Sequence, residues 1–237
     1  MPAELEISRV VNLPETRLRE AAALIADAFA DHPYFMQAFP SERVRSEACG
    51  ALFVAALRDG MEHGIVDVAC EDRVVGVMLS YGPGSYPPSL GRVLRQWRQH
   101  LRIASLSLFG LLKLFATQSR LESLHPDEPH YHVFAIATDK ARRGIANRLA
   151  ARLFAVADAA GIPVYAETQE QGTLEWGCRL GFSVLRENVA MYPGGPKTWT
   201  LWREPGAGAP RVPDAAQHEG KRSDALPTRS PGMLDHG

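Results

Sequence analysis

The sequence predicts an α/β (α+β) domain, a sheet flanked by helices, on three observations. Val133 to Ile136 is a short β-branched and aromatic run that reads as a buried strand, and after a polar turn Arg142-Arg143-Gly144-Ile145-Ala146 opens a helix. Val74 to Tyr81 is an almost unbroken apolar run, the pattern of a strand buried on both faces. Stretches of helical and extended period alternate as far as residue 204, where periodicity stops.

Pro14 and Glu15 open the first helix, whose apolar positions Leu18, Ala22, Ile25 and Phe29 recur at helical spacing until Asp31-His32-Pro33 ends it. Tyr34, Phe35, Met36 and Phe39 form a dense cluster near a turn; they can cap the core over the sheet or face a substrate. Ser41 and Glu42 start a second helix, with Val44, Ala48, Ala51, Leu52 and Ala55 on one side and an end near Gly60. Ile65 to Cys70 and Val74 to Tyr81 flank Glu71-Asp72-Arg73 as strand, turn and strand. Gly82 to Pro88 is a loop by composition. Helical material follows from Leu90 to near Ser119, broken between Ser105 and Gly110, with Leu108, Leu111, Leu112 and Phe115 on one face of its second piece.

His125 to His132 leads into the strand at 133. Its three histidines raise the question of a metal, but two prolines and strand alternation argue against an ordered ligand set, and no metal is expected. His130 and His132 lie two apart and share one side of a strand, with Tyr131 on the other. The helix from Ile145 turns Leu149, Leu153, Val156 and Ala160 inward and stops at Gly161. Pro163 to Thr168 is the next strand, and Gln171 to Leu180 a short helix ended by Gly181. Phe182 to Met191 pairs with Thr198 to Arg203 as a hairpin through Pro193-Gly194-Gly195-Pro196. From Pro205 the chain is rich in Pro, Gly, Asp and Arg without period, so the division is a domain over 1–204 and a disordered tail over 205–237.

Composition narrows the function classes. A chain of 237 residues that is 46% hydrophobic and 22% charged is globular and needs no disulfide staples. A formal net charge of -1, with basic residues spread out, gives no field for nucleic acid. Cys49, Cys70 and Cys178 lack metal spacing and suit a reducing compartment. The N-terminal ten residues carry acids where a secretory signal needs a basic region and an apolar core. The longest apolar stretch, Ile103 to Ala116, is too short for a membrane span and contains Lys113. A cytoplasmic monomer or homodimer, with no membrane and no nucleic-acid partner, is the expectation.

The stretch after Val133 carries the chemistry. The first turn of a helix offers amide N–H groups without intrahelical partners and the positive end of the macrodipole, so a strand, a turn and a glycine-bearing helix start suit a phosphate. Gly144 and Ala146 are small enough for a ligand to approach the backbone, and Arg142 and Arg143 add two charges.

Ala141-Arg142-Arg143-Gly144-Ile145-Ala146 resembles the pyrophosphate loop of the GCN5-related N-acetyltransferase superfamily, Gln/Arg-x-x-Gly-x-Gly/Ala after a strand ending in Val-x-Pro. Here Ile136-Ala137-Thr138 stands at the strand end, and Gly181-Phe182 matches a second signature of that family. More narrowly, residues 28–33 and the run from Glu167-Thr168 through Leu180-Gly181-Phe182 to Lys197-Thr198-Trp199 are similar to the puromycin N-acetyltransferase branch. The resemblance spans roughly residues 10–204, and two departures matter. The Tyr that many members use to protonate the departing thiolate is Gly177, and an Asn that often touches the cofactor is Thr173.

The resemblance implies a mixed, mostly antiparallel sheet splayed at the acyl-CoA-binding strand, and acetyl-CoA as co-substrate. It places the cofactor at Ile136, Ala137 and Thr138, at the loop residues Ala141 to Ala146, and at Asn147 and Thr173. A main-chain N–H near Ile136 would polarise the thioester carbonyl, and Arg92, Arg95, Arg98 and Arg102 are either a solvated helix side or contacts for the 3′-phosphate.

An alkyl amine with a pKa of about 10 is neutral in roughly one molecule per thousand at pH 7, so a base is useful. Glu167, at a strand end beside the cofactor strand, is the first candidate, with His132 and His130 second; Glu167 can equally bond a neighbouring turn. Tyr34 and Phe35 would line the acceptor pocket, and Tyr192 is one replacement for the missing acid. The expected activity is acetyl transfer to a primary amine of a small molecule, an antibiotic or metabolite. Acetylation of a protein amino group and non-catalytic acyl-CoA binding are the alternatives.

Overall fold

The computed structural model describes residues 5–191 and 195–208. Strand β1 (Glu6–Val10) leads into helices α1 (Glu15–Ala28), α2 (Pro33–Ala38) and α3 (Glu42–His63), then into strands β2 (Ile65–Cys70) and β3 (Val74–Tyr81). Helices α4 (Leu90–Arg95) and α5 (Trp97–Glu122) connect these to β4 (Tyr131–Thr138), followed by α6 (Ile145–Ala160) and β5 (Val164–Thr168). Helix α7 (Gln171–Arg179) and strands β6 (Ser183–Ala190) and β7 (Lys197–Arg203) complete the order. The strands form one seven-stranded sheet, β1-β2-β3-β4-β5-β7-β6. Every neighbouring pair is antiparallel except β4 and β5, so the sheet is mixed and mostly antiparallel.

Helices cover both faces, which is why β3 is buried at all eight positions. Val77 and Leu79 join the core under α1 and α3, while Val75 and Met78 join the one under α6. Gly76 lets α6 settle on the sheet: a Cβ there would stand 2.6 Å from Ile145 Cγ2. The start of α6 is thereby seated against β3, beside β4.

The parallel pair separates early. Only Tyr131, His132 and Val133 of β4 have partners in β5, namely Val164, Tyr165 and Ala166. From Phe134 to Thr138 the β5 side of β4 is open, so alternate main-chain groups there face a gap.

Several boundaries differ from the sequence expectation. β1 was not anticipated, because an edge strand with one buried side and Glu, Ser and Arg among its five residues carries little apolar signal. α3 runs through Gly60 to His63, since Gly60 faces Leu79 across a gap too small for a side chain. The kink in the long helix falls at Ser107 (φ -165°, ψ 98°), inside the expected window, with a second break at Gln96. Its buried residues are Gly110, Leu111, Leu114 and Thr117, whereas Leu108, Leu112 and Phe115 are exposed, a face rotated by about one residue. α6 likewise buries Ala150, Phe154 and Ala157 with Leu149 and Leu153, in place of Val156 and Ala160. By length and composition α5 could cross a membrane; here it is bent at Ser107 and one side packs into the core.

The first residues of the expected tail are docked: Arg203 pairs with Asp158 and donates to the Ala207 carbonyl, and the Gly206 N–H donates to Asp158. Residues 209–237 lie outside the described residues, as does Tyr192 with the Pro193-Gly194 part of the hairpin turn.

Candidate active site

The loop from Asp139 to Gly144 turns β4 into α6. Gly144 is the residue before the helix, at φ 82°, and no side chain caps the first turn. Open space surrounds its Cα, so glycine is needed there for backbone conformation, not for lack of room. The first intrahelical bond runs from Arg148 N–H to the Gly144 carbonyl, leaving the N–H groups of Ile145, Ala146 and Asn147 for an outside acceptor.

Four expected contributors, Ala141, Arg142, Asn147 and Thr173, make contacts within the protein. Asp139 accepts from the Ala141 N–H at 2.9 Å through its side chain and from the Arg142 N–H at 2.9 Å through its carbonyl. The Ala141 amide and then Arg73 hold the Asp139 carboxyl below its ordinary range. The Arg142 guanidinium pairs with Glu71, while Arg143 makes no ion pair among the described residues. Only one of the two anticipated charges is therefore unmatched at the helix start. Asn147 accepts from Trp176 Nε1 at 2.8 Å, which ties α6 to α7, and Thr173 bonds Glu170.

A cavity of about 510 Å³ occupies the gap between β4 and β5. Ile136, Ala137, Thr138, Ala146 and Thr173 line it beside the β4–α6 turn and α7. Phe29, Phe35, Phe53, Leu111 and Leu114 wall its opposite end, with Tyr86, His132 and Glu167 also reaching it. Phe35 is a core residue, and both Tyr34 and Phe35 line the cavity, with Tyr34 Oη donating to the Leu114 carbonyl at 3.0 Å. Gly177 also lines it, and a Cβ there would stand 3.0 Å from Leu201, so α7 lies too close to β7 for a larger residue without adjustment.

Glu167 and His132 are brought side by side by the short parallel pairing. His132 Nε2 is 2.9 Å from Glu167 Oε2, and His125 Nε2 is 3.1 Å from Oε1. Burial works to raise the Glu167 pKa, but the two imidazoles outweigh it and the carboxyl stands at about 2. His130 does not line the cavity. Its Nδ1 is 2.7 Å from the Glu128 carbonyl and its Nε2 is 3.1 Å from His125 Nδ1.

Those contacts fix tautomers. A carbonyl only accepts, so neutral His130 carries its proton on Nδ1 and presents a bare Nε2. His125 then donates through Nδ1 and turns its Nε2 toward the Glu167 carboxylate. The expectation that Pro126 and Pro129 would keep the histidines from gathering was wrong: donor atoms of His125, His132 and Glu167 lie within 4.8 Å of one another, a spacing that would also admit a metal ion.

His125 and Tyr86 were not singled out in the sequence. Tyr86 packs over His132 with ring centroids 4.4 Å apart and stacks on His125 at 5.3 Å. A loop tyrosine followed by two prolines carries no periodic signal, and His125 is set apart only by the density of histidines around it.

No protein-family model matches the chain. Solved structures do match over most of its length. A histone acetyltransferase HPA2-related acetyltransferase from Corynebacterium glutamicum matches with a TM-score of 0.58 at 20% identity, over 88% of this chain and 99% of that one. The C-terminal condensation domain of Ebony, in complex with beta-alanyl-dopamine, matches with a TM-score of 0.53 at 12% identity, over 85% and 99%. PH1933 from Pyrococcus horikoshii matches with a TM-score of 0.52 at 12% identity, over 85% and 98%. The fold is that of the GCN5-related N-acetyltransferases. Within this N-acetyltransferase fold, the open edge of β4, the uncapped start of α6 and the Glu167 cluster all border one gap in the sheet.

Proposed function

We propose that the protein is an acyl-CoA-dependent N-acetyltransferase that moves an acetyl group from acetyl-CoA to a primary amine of a small molecule. The observation that carries the reading is the coincidence, in one cavity, of an uncapped glycine-started helix and a buried carboxylate backed by histidines. The free amides of Ile145, Ala146 and Asn147 suit the diphosphate of coenzyme A, with Arg143 as the unmatched charge. The open edge of β4 from Phe134 to Thr138 suits the pantetheine arm, and a free main-chain N–H near Ile136 polarises the thioester carbonyl.

On this reading the acceptor arrives as an ammonium and docks on Glu167. One proton leaves to solvent, through Glu167 or a water beside it. The neutral nitrogen attacks the thioester carbon; the C–N bond forms, the C–S bond breaks, and the thiolate leaves with the electron pair. It takes a proton from water or a cavity group, since Gly177 offers none. The aromatic walls of the cavity, from Phe29, Phe35 and Phe53, favour a small molecule over a protein amino group. The branch resembling puromycin N-acetyltransferase is the part of the superfamily to which we assign the chain.

The test is thiol release from acetyl-CoA across an amine panel, with mass spectrometry of the acceptor. Transfer to at least one amine, lost in Glu167→Gln, is the expected result. Acetyl-CoA binding without acylation of any amine would leave only a binding module.

A further inference from the structure

Among the described residues eleven large apolar side chains are exposed, and eight of them stand on α4 and α5. Leu90, Leu94, Trp97 and Leu101 recur at spacings of four, three and four. Leu108, Leu112 and Phe115 repeat the four and three beyond the kink at Ser107, with Phe109 beside them. Such spacing lines one side of each helix piece. That side faces away from the core, since α5 buries Ile103, Gly110, Leu111, Leu114 and Thr117 instead. Apolar residues exposed singly need no explanation, but a contiguous run marks a surface that something covers. Phe115 also lines the cavity, so the face runs up to its aromatic end.

Charge indicates what covers it. From Leu90 to Leu121 the chain carries six basic residues and no acid. Arg92, Arg95 and Arg102 face Asp59, Glu62 and Glu47 of α3, which leaves Arg98, Lys113 and Arg120 without an ion pair among the described residues. Two of these cations lie over the exposed aromatics: the Arg98 guanidinium is 5.5 Å from the Trp97 ring centre, and the Lys113 ammonium 4.7 Å from that of Phe109. An apolar stripe edged by aromatic rings and long basic side chains suits a helix lying in the headgroup region of a bilayer, with its stems along the apolar surface and its charges on anionic lipid. A second copy fits less well, because a two-fold contact brings the patch against itself and sets cation against cation. Residues 209–237 supply only Val212, Leu226, Met233 and Leu234 as large apolar side chains, with four acids against four bases.

We propose that α4 and α5 dock side-on to an anionic lipid bilayer. The lack of a spanning segment, on which no membrane partner was expected, does not bear on this. α5 is bent at Ser107 and has one side in the core, so it lies along the lipid surface and crosses nothing. The proposal is independent of the acyltransferase reading.

The test is co-flotation of the full chain with vesicles of phosphatidylcholine alone and of phosphatidylcholine with about one-third phosphatidylserine. Binding to the anionic vesicles should exceed binding to the neutral ones by about tenfold or more at low salt, and the excess should shrink as ionic strength rises. Leu101→Glu combined with Leu112→Glu puts two acids on the exposed stripe, where neither side chain supports the core. That variant should lose about tenfold or more in anionic-vesicle binding, with its thermal midpoint unchanged. Arg98→Gln, Lys113→Gln and Arg120→Gln together should bring anionic and neutral vesicles to within about twofold of each other. No association of the full chain with either vesicle overturns the proposal, as does association that the two glutamates leave intact. An anionic preference that survives the three glutamines overturns the role of those cations. A dimer in light scattering that the two glutamates turn into a monomer overturns the proposal in favour of a second copy on this face.

Discussion

The two ends of the cavity are built on different principles. On the proposed function the recognition groups at the cofactor end are main-chain amides at the start of α6, where Gly144 is needed for its φ of 82°. At the acceptor end they are side chains: a carboxylate from β5, an imidazole from β4 and two more from the segment before β4, relayed atom to atom. Backbone recognition tolerates replacement of most side chains, because amides are supplied by any residue but proline. A side-chain relay has no such redundancy. The largest effects of mutation should therefore fall at the acceptor end and appear in turnover, and those at the cofactor end should appear in affinity.

Glu167→Gln tests that difference most severely. On the proposed function it removes the charge that would hold the ammonium, and it leaves His125 and His132 facing a neutral amide. With roughly one amine in a thousand neutral at pH 7, kcat/KM should fall by about 10²- to 10³-fold. Affinity for acetyl-CoA, measured by calorimetry, should stay within about twofold, since no loop amide is touched. A loss of acetyl-CoA binding comparable to the loss of turnover would show that the two ends do not act separately.

Gly144→Val is the counterpart. A β-branched residue at φ 82° is strained, so the helix start must shift and with it the three free amides. Acetyl-CoA affinity should drop by about tenfold or more, equivalent to the roughly 1.4 kcal/mol or greater expected from such strain. At saturating acetyl-CoA, kcat should be close to that of the unaltered protein. A kcat that collapses with the affinity would mean that Gly144 governs the chemistry as well as the grip.

The same contrast explains what could be read from the sequence. The strand, turn and helix around Gly144 are contiguous, and the hydrophobic period that sets them is local. β2, β3, β5, α7 and the β6–β7 hairpin were likewise legible from period and punctuation. The relay joins His125, His130, His132 and Glu167 only because β4 pairs with β5 in parallel for three residues before diverging. Sequence distance hides such a contact, and so His125 was passed over and His130 ranked as a base when it stands behind another histidine. Arg142 shows the converse error. It was expected to add charge at the helix start, but its guanidinium faces Glu71, 71 residues earlier in the chain. β1 went unread because an edge strand needs only half the apolar signal of a central one.

Acid should separate the two ends by stability. Burial lowers the pKa values of His32, His100 and His130, so the unfolded chain binds those protons first. Their contribution is complete above the unfolded value near 6.5 and declines as pH drops below it toward the lowered folded values. At the loop, Asp139 has a lowered pKa instead, and its contribution fails only below about 4. Chemical denaturation followed from pH 7.5 to 5 should show declining stability. His32→Gln should flatten part of that slope, whereas Asp139→Asn should leave it unchanged in that range.

The smallest expected effect is the most specific to the loop. Arg142 and Arg143 are neighbours in sequence and equivalent in any motif, yet Arg142 is paired with Glu71 and Arg143 is not. A charge already neutralised contributes little to a distant anion, and an exposed unmatched one contributes a modest, screened attraction. Arg143→Ala should weaken acetyl-CoA binding by about three- to fivefold at low salt, with the difference shrinking as ionic strength rises. Arg142→Ala should weaken it by less than about twofold, because removing the arginine also unmasks Glu71 only at the margin of the site. Equal losses in the two variants would mean that Arg142 leaves Glu71 for the diphosphate when the ligand binds. The cofactor end would then rearrange its side chains on binding, and the contrast with the acceptor end would narrow to a difference of degree.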